Sequence, residues 1–178
     1  GMLKNTLSSY GLITKLFHWF IGIAIVGLLV IGFIMVSMLP SVDKWQLYSM
    51  HKATGVLVLF LVSLRVLWRW INVKLELPAD IPLWQKLASK FTHFLLYIFM
   101  FLMPVSGILM SRFGGHEINI FNLFLIPPLE KSPVLASFFN NLHGVSAFVF
   151  AALIVLHISA GLYHHFVRKD NVLIRMIK

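Results

Sequence analysis

The 178-residue sequence contains no cysteine and only six acidic residues. Without cysteine the chain forms no disulfide, uses no thiolate nucleophile, binds no iron–sulfur cluster through thiolates and carries no haem attached through a CxxCH motif. The sequence also contains no P-loop, dinucleotide-binding fingerprint, catalytic triad or HExxH pattern. Hydrolytic chemistry and nucleotide chemistry therefore have no support from motifs.

Apolar residues, in contrast, are abundant. They make up 59% of the chain, and the mean hydropathy is +0.88, whereas a soluble domain is about half apolar. Four segments approach or exceed the roughly 20 residues that a membrane-spanning helix needs. We therefore predict an all-α integral membrane four-helix bundle that forms a single domain over 1–178. The predicted helices cover about 12–39, 45–70, 91–112 and 134–168, and the two longer loops cover 71–90 and 113–131.

The N-terminal region requires two interpretations before the bundle is considered. Gly1 precedes Met2, which is typical of a cleavage scar, so Gly1 is set aside. The first apolar segment is too long for a secretory signal, and no A-x-A site follows it. We therefore expect it to be the first membrane helix.

Basic residues are distributed unequally between the two sides of this bundle. Of the 15 lysines and arginines, 11 fall on the side that holds both termini, and four, Lys44, Lys52, Arg112 and Lys131, fall on the other. The positive-inside rule then places both termini in the cytoplasm, and the apolar helices in contact with membrane lipid. The net charge of +9 is explained by topology, so no nucleic-acid partner is expected.

The fourth segment contains two histidines within a stretch free of charged residues. No Asp, Glu, Lys or Arg occurs from Ser132 to Val167, and His143 and His157 are 14 residues apart. On an α-helix they lie about 40° apart on one face and about 21 Å apart along the axis. Such a helix offers two nitrogen ligands at two depths of one membrane, which is what two stacked haems require from a shared helix.

Two further histidines match these depths on other helices. Counted from the outer ends of the helices, His51 and His143 both lie about 5 residues deep, and His18 and His157 both lie about 20 residues deep. Each of the four is followed at the fourth position by a small residue, which lets a flat porphyrin lie against the backbone. These residues are Gly22, Gly55, Ala147 and Gly161.

Two other histidines lie near the inner level. The fourth residue after His93 is Tyr97, and the fourth after His164 is Arg168. Because these side chains are bulky, they favour His18 and His157 as the inner pair. A zinc or copper site is disfavoured, because transition-metal sites usually gather three or four ligands at one point.

Several cations lie near the two predicted haem levels. Lys15, Arg65 and Arg69 lie at the inner level, where they either pair with haem propionates or simply follow the positive-inside rule. Lys52 and Arg112 lie at the outer level and are candidates for propionate pairing or for substrate attraction near the haem edge.

Several strings resemble the bacterial cytochrome b-561 family, which comprises four-helix di-haem membrane cytochromes related to the b subunits of nickel hydrogenases. The matching strings are Phe17-His18-Trp19, Met50-His51-Lys52-Ala53-Thr54-Gly55, Leu64-Arg65-Val66-Leu67-Trp68-Arg69, Leu142-His143-Gly144, Leu156-His157-Ile158-Ser159-Ala160-Gly161 and His164-His165-Phe166-Val167-Arg168-Lys169-Asp170-Asn171. The resemblance covers almost the whole chain. The loop 113–131 carries no matching motif.

This resemblance implies that the four histidines bind the iron atoms of two b-type haems, His18 with His157 inside and His51 with His143 outside. It also implies electron transfer with membrane quinone, and in some members the oxidation of periplasmic superoxide with ubiquinone as acceptor. We therefore expect a superoxide:quinone oxidoreductase. One alternative is a haem-bearing electron-transfer anchor for a partner dehydrogenase or hydrogenase. The other is a haem-free transporter whose histidines relay protons or bind a metal ion.

Overall fold

Four long helices form the protein in its computed structural model, which describes residues 2–178; Gly1, set aside above, lies outside them. They are α1 (Leu12–Ser37), α2 (Val42–Trp70), α3 (Leu83–Phe113) and α4 (Pro133–Tyr163). A π-helical turn, His164–Arg168, extends α4, and a short helix, α5 (Ile174–Ile177), follows. The four long helices are long and apolar enough to cross a membrane. The predicted all-α membrane bundle is confirmed.

Helix α3 begins eight residues before the predicted start at residue 91. It starts at Leu83, directly after Pro82. The last eight residues of the segment 71–90 are therefore helical, whereas the whole segment was predicted as loop. Lys86 and Lys90 lie in this part of the helix, where long basic side chains can reach water while the helix continues. Trp84, 69% exposed, lies on this first turn.

Side-chain caps explain where two of the other helices begin. The Ser41 hydroxyl accepts a hydrogen bond from the Lys44 amide at 3.1 Å, so α2 starts three residues before the predicted position. The Ser132 hydroxyl accepts one from the Leu135 amide at 3.3 Å, and Pro133 occupies the first turn of α4. Both caps satisfy an amide that would otherwise lack a partner at the helix start.

The segment 113–131 contains a hairpin that the sequence analysis treated as loop. Strands β1 (Ile118–Ile120) and β2 (Phe124–Ile126) pair in antiparallel register. Phe121 and Asn122 form the turn with φ of 52° and 62°, the backbone of a type I′ turn. Ile118 and Ile120 of β1 are buried with Ala53 of α2. The hairpin therefore packs against the outer part of α2.

The apolar core lies between the two histidine levels. Its fully buried members come from all four long helices and are Ile21, Ile25, Val58, Val62, Leu96 and Phe150. Phe150 is halfway along α4 between His143 and His157. The packed core thus separates an outer pair of imidazoles from an inner one.

Candidate functional site

At the outer level, α2 and α4 bring His51 and His143 together. Their ring centres are 6.5 Å apart and their planes are at 90°. At the inner level, α1 and α4 bring His18 and His157 together, with ring centres 6.1 Å apart and planes at 58°. The structure therefore contains both pairings predicted from depth along the helices.

These separations match the spacing of two imidazoles that bind one metal ion from opposite sides. With a metal–nitrogen distance of about 2 Å and a ring of ordinary bond lengths, the ring centres lie roughly 6.3 Å apart. The measured values of 6.1 and 6.5 Å lie on either side of this figure. The ring separations of both pairs are therefore compatible with two imidazoles that bind one haem iron.

Space for a flat macrocycle is present beside two of the predicted small residues. Apart from its chain neighbours and the nearby backbone of its own helix, a β-carbon built on Gly22 or on Gly55 would meet no atom of residues 2–178 within 4 Å. Gly161 differs, because a β-carbon there would lie 3.9 Å from Leu173 Cδ1. The two glycines after His18 and His51 thus border open space, whereas the glycine after His157 is in contact with the C-terminal segment.

An apolar cavity of about 220 Å³ lies against the outer site. It is lined by residues of α1 and α2, namely Ala24, Gly27, Leu28, Ile31, Met50, His51 and Thr54. Another residue of α1 approaches the histidine itself, since a β-carbon on Gly32 would lie 3.4 Å from His51 Cε1. An apolar cavity beside a histidine is typical of a cofactor site.

His93 also lies in the inner site, at the level where its sequence position makes it a competitor of His18 or His157. Its ring centre is 5.7 Å from that of His157, with planes at 71°. Three helices therefore contribute an imidazole at this level, and two of these imidazoles suffice for one haem. The small residue at Gly22, compared with Tyr97 after His93, still favours His18 as the partner of His157.

The inner arginines surround this cluster. Arg65 Nη2 lies 3.5 Å from His18 Nδ1, and the guanidinium groups of Arg65 and Arg69 lie 5.6 and 5.1 Å from the Tyr97 ring centre. A histidine that binds metal through Nε2 carries its proton on Nδ1, so Arg65 and His18 would then both be donors. In that state the Arg65 guanidinium is free to pair with an anion. Lys15 lies one turn before His18 on α1.

The outer cations occupy different environments. Arg112 Nε donates to the Pro127 carbonyl at 2.9 Å, which holds its side chain against the segment after the hairpin. Lys52 follows His51 on α2 and is half-buried. Neither residue is shown to contact the outer histidine pair.

His164, the other inner histidine, belongs to an ion-pair network at the end of α4. Its Nδ1 lies 2.7 Å from Asp170 Oδ2, and Arg168 donates to Asp170 at 3.1 Å and to Asp80 at 3.0 Å. Burial alone would raise the pKa of Asp170, but hydrogen bonds from His164, the Val172 amide and Arg168 outweigh it, and the pKa is lowered. The network joins the end of α4 to the segment before α3.

The sequence analysis missed two residues on α3 that touch His143. Ser106 Oγ lies 3.0 Å from His143 Nδ1, and a β-carbon on Gly107 would lie 3.0 Å from His143 Cε1. The signal available in the sequence was the serine–glycine pair shortly after Pro104 within an apolar helix. Small residues there permit close approach of a neighbouring helix.

Comparison with known proteins gives one family match and several relatives. The model of the family described as prokaryotic cytochrome b561 matches residues 9–178. The chain is 34% identical to cytochrome b561 homolog 2 of Escherichia coli (strain K12), over 97% of this chain and 93% of the relative. It is 27% identical to cytochrome b561 homolog 1 of the same organism, over 71% and 72%. It is 26% identical to the probable superoxide oxidase CybB of Yersinia pestis, over 77% of each chain.

Proposed function

Because the chain belongs to the prokaryotic cytochrome b561 family, we propose that it carries electrons through two b-type haems from periplasmic superoxide to membrane ubiquinone. Family membership itself makes the chain a multi-pass protein of the bacterial inner membrane that functions in electron transfer with b-type haem. What we propose beyond this is the number of haems, the residues that bind them, superoxide as the electron donor and ubiquinone as the acceptor.

The proposal rests on two histidine pairs with nearly equal ring separations. One member of each pair, His143 or His157, lies on α4. His51 with His143 and His18 with His157 have ring centres 6.5 and 6.1 Å apart, and the two levels are about 21 Å apart along α4. Haem b bound between two imidazoles supplies reversible one-electron chemistry without an open coordination position. Such sites favour electron transfer over oxygen binding.

The proposed reaction balances as a two-electron exchange. Two superoxide ions each lose one electron and leave as dioxygen, while one ubiquinone takes two electrons and two protons and becomes ubiquinol. The name of the Yersinia pestis relative supports superoxide as the donor.

The superoxide anion would approach the outer surface of the bundle. The charge of the four basic residues on this side is largely cancelled by Asp43, Glu117 and Glu130, so any attraction of the anion has to be local. Lys52 and Arg112 are the proposed source of that attraction.

At the inner level the proposal gives the cations a binding role. Arg65, Arg69 and Lys15 would pair with the haem propionates. Arg65 Nη2 lies 3.5 Å from His18 Nδ1; if His18 bound iron through Nε2, both groups would be donors and the guanidinium would be left for an anion. With both termini cytoplasmic, as the basic-residue distribution predicts, this level faces the cytoplasm.

The direct test uses the purified full-length protein in detergent, with an enzymatic source of superoxide and a short-chain ubiquinone. We expect superoxide to reduce the haems and the reduced protein to reduce the quinone, and excess superoxide dismutase to abolish both. Haem reduction only in the presence of an added dehydrogenase or hydrogenase would instead support the anchor function. The haem-free transporter is disfavoured because the family implies b-type haem.

Two charge-removing variants test the proposed attraction. Lys52→Gln and Arg112→Gln should each lower the second-order rate of haem reduction by superoxide at low ionic strength, by about threefold or more. Lys44→Gln is the matched control. It removes the same charge from the same side, but Lys44 lies two turns earlier on α2, where its Nζ donates to the Met38 carbonyl. Equal effects of all three variants would refute a local role for Lys52 and Arg112.

A further inference from the structure

His143 is held by a buried hydroxyl group. Ser106 of α3 is 1% exposed, and its Oγ donates to the Met103 carbonyl at 3.0 Å. The same oxygen lies 3.0 Å from His143 Nδ1. A hydroxyl has one proton, and when His143 is protonated on Nδ1 that hydroxyl proton goes to the Met103 carbonyl while Ser106 Oγ accepts the N–H of His143. In this arrangement Nε2 of His143 is unprotonated.

The backbone of the next residue confines the same ring. A β-carbon on Gly107 would lie 3.0 Å from Cε1 of His143 and 3.4 Å from its Nδ1, so the absence of a side chain allows α3 to approach the imidazole. The ring thus lies beside the Ser106 hydroxyl and beside the space that a side chain at position 107 would fill. Both features belong to α3.

Two of the other three histidines of these pairs, His51 and His18, differ in this respect. His51 Nδ1 is buried and has no hydrogen-bond partner among residues 2–178. His18 Nδ1 is nearest to Arg65 Nη2, at 3.5 Å, and a guanidinium is a donor only. His143 therefore has a hydrogen-bond acceptor at Nδ1 where His51 and His18 do not.

We propose that Ser106 is a positioning residue for His143, which fixes the tautomer of this ligand and lowers the reduction potential of the outer haem. The inference rests on the proposed function, because it takes His143 as an axial ligand. Donation of the Nδ1 proton to an acceptor makes Nε2 more electron-rich. A more electron-rich axial ligand stabilises the oxidised iron, which shifts the potential downward.

The test is a potentiometric titration of the full-length protein with its haems. In Ser106→Ala the potential of the outer haem should shift to a more positive value, and the inner potential should not change. Ser106→Thr keeps a hydroxyl and should restore the wild-type value. The control is Ser111→Ala, since Ser111 lies on the same helix, is 3% exposed, and its Oγ has no partner among residues 2–178. The single-haem variants His143→Ala and His157→Ala identify which potential belongs to which level.

The outcomes separate this inference from the function on which it rests. An unchanged outer potential in a Ser106→Ala protein that holds both haems would overturn the role of Ser106 and leave the proposed function intact. If Ser106→Ala loses the outer haem, the Ser106→Thr variant decides between the outcomes. An outer haem retained at the wild-type potential in Ser106→Thr supports the hydrogen bond to His143. Loss of the outer haem in Ser106→Thr as well overturns the proposed role of the hydroxyl. A wild-type protein without two haems would refute the proposed function itself.

Discussion

The rings of His93 and His157 have centres 5.7 Å apart, which is closer than the 6.1 Å between His18 and His157. Separation alone therefore does not select the inner ligand. The residue four positions later favours His18, because Gly22 leaves space on the His18 face of α1, whereas the fourth residue after His93 is the bulky Tyr97. We predict that His18→Ala loses the inner haem and that His93→Ala keeps both haems.

Haem content and the low-spin electron paramagnetic resonance signals measure this choice. The outer haem, held by other residues, is the internal control in each variant. If His93→Ala loses the inner haem and His18→Ala retains it, His93 is the ligand and the steric argument fails.

The open space beside Gly22 and Gly55 provides a second prediction. Leucine is a good helix former, so Gly22→Leu and Gly55→Leu should keep their helices but fill the space beside His18 and His51. We expect Gly22→Leu to lose most of the inner haem and Gly55→Leu most of the outer one, as measured by haem-to-protein ratio and redox spectrum. Each variant is the control for the other. Full occupancy in both would show that the macrocycles lie elsewhere.

Gly161→Leu gives a less direct test of the same idea. Because Gly161 is the small residue predicted to lie against the inner porphyrin, we expect Gly161→Leu to impair incorporation of the inner haem. A larger side chain there would also push on Leu173, whose Cδ1 lies 3.9 Å from a β-carbon built on Gly161. Normal haem content in this variant would refute the steric role of Gly161.

The ion-pair network of Asp170 predicts a pH-dependent contribution to stability. Because the folded state lowers the pKa of this carboxyl group, its contribution is present above the unfolded pKa of about 3.9 and is lost as pH falls through the folded value. Asp170→Asn should lower the unfolding temperature in detergent at pH 7 by a few degrees, at roughly 2–4 °C per kcal/mol. The difference from the wild type should disappear under strongly acidic conditions.

Asp80→Asn is the matched control for this measurement. Asp80 pairs with the same Arg168, but its side chain is 78% exposed, and exposed ion pairs contribute little. A decrease in unfolding temperature as large as that of Asp170→Asn, or one that persists in acid, would contradict the assignment.

Depth and spacing along apolar helices explain why the histidine pairs are predictable from sequence. His143 and His157 lie on one uncharged helix, and an α-helix fixes their relative depth and direction. Counting from the helix ends then identifies His51 and His18 as partners. Neither step requires knowledge of side-chain contacts.

Contacts across helices are harder to predict. Ser106 and Gly107 touch His143 because α3 packs against α4, and sequence spacing does not define that packing angle. The same holds for His93, whose approach to His157 depends on the position of α3. The hairpin around Phe121 and Asn122 was missed because this turn lacks the Asn-Gly or Asp-Gly pair that normally marks it.

The most direct test of the account is the haem content of the purified chain and of two single variants. Haem extraction and the reduced-minus-oxidised spectrum should give two haem b per wild-type chain, one in His143→Ala, which keeps the inner haem, and one in His157→Ala, which keeps the outer haem. A wild-type protein without haem b, or the loss of the same haem in both variants, would contradict two stacked haems that share α4.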